Sequence, residues 1–309
     1  MRRRTALLIP LVLGFVSSTA WAQGKGHKRG DRDDDIVARL DTTVTVQRGG
    51  RVSLGIVSGR IIVTAGSGSS VRIHATLEDG GRFRFRATDS GAELGVEADD
   101  HELGDAHVEV SVPAGVLIAA NTVSGDISVR DTRGVVEAHT VSGDVAVTGA
   151  AERVSAESVS GDVEVRGVTA SVRAQSVSGN VQAENVSGDV QGETVSGDII
   201  LHDVRSRSAR ASTTSGDVEY DGTIGGDGRY EFQSHSGDVR ISLPSGADAT
   251  VTVETFSGEL DSDVPITLQP GQVMTPSRRL SFKVGNGSGQ LSVRSFSGDI
   301  TIRRGSGAH

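Results

Sequence analysis

Acidic residues recur along this chain at a fixed interval, and any chemistry it performs has to start from them. Asp126, Asp144 and Asp162 stand 18 residues apart, Asn180 takes the next place and Asp198 the one after. Each closes a Ser-Gly-Asp or Ser-Gly-Asn triplet. If 18 residues make one turn of a repeating fold, these side chains stack about 5 Å apart, where carboxylates repel by about 0.8 kcal/mol per pair in water and would welcome a cation. The competing reading is a row of solvated turn residues. Calcium-binding β-rolls carry Gly-Gly-x-Gly-x-Asp, with two glycines and backbone carbonyls framing each ion. That frame is missing here, so no metal is assigned, and Asp126, Asp144, Asp162 and Asp198 stand as a candidate cation ladder.

Nucleophilic chemistry has less to build on. The chain has no cysteine, no His-x-x-x-His pair and no Gly-x-Ser-x-Gly elbow, since Gly285-Asn286-Gly287-Ser288-Gly289 puts its serine out of place. His235, Ser236 and Asp238 suggest a triad by composition, but neighbours along a strand point to opposite faces, and a variant of the Ser-Gly-Asp triplet explains them better. No catalytic residue and no cofactor is assigned. Acids on a repetitive β-fold can also cleave polysaccharides, which is the enzymatic alternative. A grafted cleft would interrupt the repeat, so it would have to lie within residues 212–295, outside the regular block.

The elements that would position these residues follow from the same periodicity. Val-Ser-Gly recurs with its glycine at Gly125, Gly143, Gly161 and Gly179, then at Gly188 and Gly197, so the unit is nine residues and two units form a larger repeat. Stepping by nine from Ile127 gives Val136, Val145, Val154, Val163, Val172, Val181, Val190 and Ile199. Two residues on, the column reads Val129, Ala138, Val147, Ala156, Val165, Ala174, Ala183, Gly192 and Leu201. Val123, Val141, Val159, Val177 and Val195 form a further apolar column, with polar residues between the columns facing the other way. Alternation with period two and abundant valine mean strands with one buried face.

This pattern predicts an all-β fold: a β-solenoid, or β-helix-like stack of nine-residue half-coils with 18 residues per coil, each coil stacking on the last. An antiparallel, β-sandwich-like repeat is the alternative. Ser-Gly-Asp forms one corner, with glycine there to turn the chain at positive φ, and the stretches 131–134, 148–153 and 166–171 form the opposite corner. Regular coils occupy residues 122–211, flanked by irregular parts at 36–121 and 212–309, and residues 36–309 are read as one domain.

The ends and the composition set the context. Arg2 to Arg4, an apolar stretch from Ala6 to Val16 and Ala20-Trp21-Ala22 have the layout of a secretory signal cleaved after Ala22, and the apolar run is too short to span a bilayer. Residues 23–35 read as a disordered charged tether, and its Arg29-Gly30-Asp31 as coincidence in a run of such residues. Removing residues 1–22 takes away three arginines and no acid, moving the net charge from −9 to −12, which argues against nucleic acid as a partner. No transmembrane segment is expected, and the partner and oligomeric state are open.

Val108-Glu109-Val110-Ser111-Val112-Pro113-Ala114-Gly115, then Thr122-Val123-Ser124-Gly125-Asp126-Ile127 and its repeats, and finally Ser295-Phe296-Ser297-Gly298-Asp299-Ile300 resemble a bacterial β-strand-repeat family catalogued as candidate adhesins, a family of unknown function. The likeness covers about residues 36–303. It implies a β-solenoid-like fold in an envelope or surface setting, in the periplasm or on the cell surface, and supplies no site residues. The function expected is that of a non-catalytic, exported structural or binding module, with a polysaccharide-acting β-helix enzyme and a calcium-binding β-roll as alternatives.

Overall fold

The computed structural model of the chain describes residues 38–78, 80–98, 104–264 and 278–305. The expected signal sequence and tether lie outside these described residues. Seven strands precede the regular block: β1 (Ala38–Thr45), β2 (Arg51–Gly55), β3 (Ser58–Ala65), β4 (Ser70–Leu77), β5 (Gly81–Thr88), β6 (Gly91–Ala98) and β7 (Ala106–Val112). The block itself holds β8 (Leu117–Arg130), β9 (Val136–Ser142), β10 (Val145–Thr148), β11 (Val154–Ser158), β12 (Val163–Arg166), β13 (Val172–Gln175), β14 (Val181–Val186), β15 (Val190–Glu193) and β16 (Ile199–Val204). After it come β17 (Ser208–Ser215), β18 (Val218–Gly222), β19 (Arg229–Ser236), β20 (Val239–Leu243), β21 (Ala249–Thr255), β22 (Leu260–Ser262), β23 (Arg278–Val284), β24 (Gly289–Ser297) and β25 (Ile300–Arg304).

In the regular block each strand pairs, parallel and in register, with the strand one coil on: Val145 lies beside both Ile127 and Val163, and Val154 beside both Val136 and Val172. The solenoid expectation holds. The antiparallel alternative fails for the regular coils, because residues 18 apart sit side by side and their backbones run the same way. Two parallel stacks result. One runs through β10, β12, β14, β16, β18 and β20, the other through β9, β11, β13, β15, β17 and β19. The long β8 belongs to both, pairing with β9 through its first half and β10 through its second.

Both nine-step columns point inward between the stacks and are buried; Val163, for example, is 1% exposed. The alternation in the second column reflects the two stacks. Val129, Val147, Val165 and Leu201 come from one and Ala138, Ala156, Ala174 and Gly192 from the other, so that, except at Ala183 in the first stack, large side chains meet small ones across a narrow core. A further buried column, Thr132, Ala150, Val168, Val186, Val204 and Ile224, closes the core at the second corner. That corner, and not Ser-Gly-Asp, carries a regular ladder of left-handed backbone: φ is 56° at Asp131, 71° at Gly149, 65° at Gly167, 53° at Asn185 and 49° at Asp203. Gly, Asn and Asp recur there because they tolerate this conformation best.

Sequential stacking breaks down at both ends. The β2–β3 coil pairs with β8 on one side and with β6 and β7 on the other, so it is inserted between coils that follow it in the chain. Likewise the last coil, β24–β25, slots between β19–β20 and β21–β22. The terminal strands β1, β5 and β23 are all antiparallel to their neighbours. Toward the C-terminal end the core holds the buried rings of Tyr220, Tyr230 and Phe232, with Tyr220 4.6 Å from Phe232. Burial pushes the Tyr220 phenol far above its ordinary pKa, with smaller contributions from Tyr230 and Asp221, and its hydroxyl donates to the Thr223 carbonyl at 2.8 Å.

Candidate functional site

The Ser-Gly-Asp corners stack as the spacing predicts, and each residue type there does a separate job. Oδ1 of Asp126 accepts the backbone N–H of Asp144 at 3.2 Å, Asp144 that of Asp162 at 2.9 Å, and Asp162 that of Asn180 at 2.7 Å. The Asn180 amide oxygen does the same for Asp198 at 2.9 Å, and the ladder continues through Asp217, Asp238 and Asp299 to Glu259. The candidate cation ladder is therefore a row of inter-coil acceptors, each satisfying a donor that the corner would otherwise leave unpaired. Among the described residues no three His, Asp or Glu side chains converge as a set that could hold a metal ion.

A second ladder lies beside it. Hydroxyls of Thr140, Ser158, Ser176 and Thr194 donate to the carbonyls of Gly125, Gly143, Gly161 and Gly179, at 2.9–3.0 Å. These side chains are nearly buried, so the bonds are shielded from water. Positive φ does not account for the corner glycines as a set, and close approach does. A Cβ on Gly161 would sit 2.0 Å from the Gly143 carbonyl oxygen, and one on Gly179 2.1 Å from that of Gly161, while neither has left-handed φ.

The column Val123, Val141, Val159, Val177 and Val195, counted above with the apolar columns, is not core. These side chains are 43–50% exposed, because the corner rotates them outward just before the glycine. Val57 extends the column at one end through the Val57 carbonyl to Ser124 N–H bond. At the other end it continues through Thr214 and His235 to Phe296 and Phe256. His235 stacks on Phe296 at 4.7 Å, and Phe296 on Phe256 at 4.9 Å. Along the central coils a groove of about 560 Å³ opens beside this stripe. Val159, Val177 and Val195 form one wall, His139, Glu157, Gln175 and Glu193 the other, and the hydroxyl ladder the floor.

The remaining candidates resolve into local structure. His235 lies on Phe296, whereas Asp238 binds Arg240 at 2.8 Å and the Asp299 N–H at 2.9 Å, so no triad forms. Ser288 sits in a turn tied down by Asp248, which accepts the N–H groups of Ser288 and Gly287; these bonds hold its carboxyl below the ordinary value. Acids and arginines do share the outer face of the C-terminal strands, as the enzymatic alternative requires. There Glu231 is paired with Arg210 at 2.8 Å, and Glu254 with Arg294 at 3.7 Å. The two glutamates lie on β19 and β21, with β24 between them. At the nearby corner Asp217 meets burial, which opposes ionisation, but the Arg240 hydrogen bond, the Asp238 N–H and the Arg240 charge outweigh it and lower its pKa.

Sequence reasoning missed the outward stripe and the groove because a period-two pattern marks valine as inward, and only the corner geometry turns it out. The available signal was the fixed place of these valines directly before Ser-Gly.

The Toastrack DUF4097 family model matches residues 60–303. Among solved structures, a candidate adhesin from Bacteroides fragilis is 12% identical, with 86% of this chain and 97% of that one covered and a TM-score of 0.44. One from Parabacteroides merdae is 9% identical, with 87% and 96% covered and a TM-score of 0.32. A candidate cell adhesion protein from Clostridium sporogenes is 8% identical, with 87% and 100% covered and a TM-score of 0.25. No curated protein matches the chain. Among the described residues no helix is long and apolar enough to cross a membrane.

Proposed function

The chain belongs to the Toastrack DUF4097 family, and from that premise we propose that it is a non-catalytic β-solenoid binding module, exported through the signal at residues 1–22, with the charged tether at 23–35 leading into the solenoid. The observation that carries this reading is how the repeated polar groups are used. The corner carboxylates and the Ser and Thr hydroxyls, the groups a hydrolase would need free, are committed coil after coil to backbone partners. What the repeat presents outward is a continuous surface with a groove along it, suited to contact with an extended partner. The setting that fits a leader followed by an all-β domain is the bacterial envelope, in the periplasm or at the surface.

The test is a turnover screen of the mature protein against bacterial polysaccharides, together with fractionation of producing cells. No turnover is expected, and the protein should leave the cytoplasm with residues 1–22 removed. Turnover abolished by a single substitution such as Glu231→Gln or Glu254→Gln would replace this reading with the enzymatic one. A product retaining residues 1–22 in the cytoplasm would refute export.

A further inference from the structure

Nine large apolar side chains stand exposed among the described residues, and eight of them fall in one column: Val57, Val123, Val141, Val159, Val177, Val195, Phe296 and Phe256. Scattered surface apolar residues need no explanation, but a contiguous stripe marks a contact surface. At about 4.8 Å per coil, the valine part alone runs for about 24 Å.

The charges beside the stripe indicate what covers it. On one side stand Asp144, Asp162 and Asp198 of the corner ladder, and on the other Glu157 and Glu193 of the groove wall. Several other surface acids are paired with arginine, as in Arg51–Glu137, Arg166–Glu184, Arg210–Glu231 and Arg240–Asp217. Among the described residues these five have no Lys or Arg partner. Glu157 meets His139 and Ser155, and Glu193 is held by the amides of Gln175 and Gln191. Arg173, which stands near, bonds Gln175 and Gln191 instead. The valine wall of the groove thus has the corner aspartates on one side and, across the groove, Glu157 and Glu193 on the other, none of them paired with Lys or Arg among the described residues.

We propose that this groove binds a segment of a partner protein that alternates aliphatic with Lys or Arg side chains, its aliphatic groups covering Val159, Val177 and Val195 and its cations meeting Glu157, Glu193 and the corner aspartates. A second copy of this chain fits poorly, since it would bring the same carboxylates face to face. This inference rests on the binding-module reading.

The test uses the mature protein and three short synthetic peptides, alternating Leu–Lys, Leu–Glu and Ser–Lys, with affinity read by calorimetry at two salt concentrations. Leu–Lys should bind and weaken with salt, whereas Leu–Glu and Ser–Lys should bind at least about tenfold more weakly. Val159→Ser with Val177→Ser, and separately Glu157→Gln with Glu193→Gln, should each lower Leu–Lys affinity by about tenfold or more. Because all four side chains are outward, an unchanged urea midpoint shows that the variants are folded. Failure of Leu–Lys to bind, equal binding of Leu–Glu or Ser–Lys, or unchanged affinity in either variant overturns the proposal. So does self-association of the free protein that the valine variant abolishes, which would make a second copy the occupant. None of these results touches the non-catalytic reading, which the polysaccharide screen decides.

Discussion

Substituting alanine for Gly161 asks whether the coils approach as closely as the corner requires. The added Cβ would lie 2.0 Å from the Gly143 carbonyl oxygen, 2.6 Å from its carbon and 3.0 Å from Oδ1 of Asp144. The two closest contacts are to backbone, which cannot yield as a flexible side chain would, so restoring ordinary van der Waals contact opens the corner by about 1 Å or more. The bonds spanning that gap are short: Asp162 N–H to Asp144 at 2.9 Å, Ser158 hydroxyl to the Gly143 carbonyl at 3.0 Å, and Ser176 hydroxyl to the Gly161 carbonyl at 2.9 Å. Stretched by about 1 Å they cease to be hydrogen bonds, and at about 1 kcal/mol each the loss is about 2–4 kcal/mol. Urea unfolding should show this as a lower midpoint at unchanged slope. Gly246→Ala is the control: nothing lies within 4 Å of a Cβ there, so its effect should stay within about 0.5 kcal/mol, or be slightly stabilising. If Gly161→Ala is tolerated as well as Gly246→Ala, the close-approach explanation of the repeated glycine is wrong.

Four further outcomes are expected. Val163→Asp places a carboxylate in the core and should cost several kcal/mol in urea unfolding, whereas Glu164→Gln on the outer face of the same strand should cost less than about 1 kcal/mol; equal effects would mean that the nine-step columns are not a core. Asp162→Asn should be nearly neutral because Asn180 already fills the same role, while Asp162→Ala orphans the Asn180 N–H and should cost about 1–3 kcal/mol, with calcium and chelator giving the same melting temperature for the parent and the Asn variant. Thr132 buries a hydroxyl without a partner at the head of an otherwise apolar column, so Thr132→Val should raise stability by about 1 kcal/mol in chemical denaturation. Because the Asp217 carboxyl is held below its ordinary 3.8, its contribution is present above that pH and disappears as pH falls through the lowered folded value. Asp217→Asn should therefore be less stable than the parent near neutrality, by no more than about 1 kcal/mol given the exposure of the pair, and the two should converge in strong acid.

The sequence by itself determined the class of fold, the nine-residue half-coil, both inner columns and the stacking of the corner aspartates. All of these follow from recurrence: identical residues at a constant interval must occupy equivalent environments, and a buried valine at one rung implies one at the next. It also located the second corner, though without its left-handed backbone. What only the tertiary structure decided depends on contacts between coils. The corner glycine is needed because the preceding coil's carbonyl occupies the space of its Cβ, the aspartate because the following coil presents an N–H, and the column at Val159 faces outward because the corner turns before the strand begins. The first two are contacts between coils that no single coil contains, and for the third the local signal is the fixed place of the valine directly before Ser-Gly. The inserted coils β2–β3 and β24–β25 show the same limit. Both lie in the irregular parts of the repeat, where a constant spacing no longer gives the register, and the hydrogen-bonding partner of a strand is chosen by the edge open to it when the stack closes, which order along the sequence does not specify.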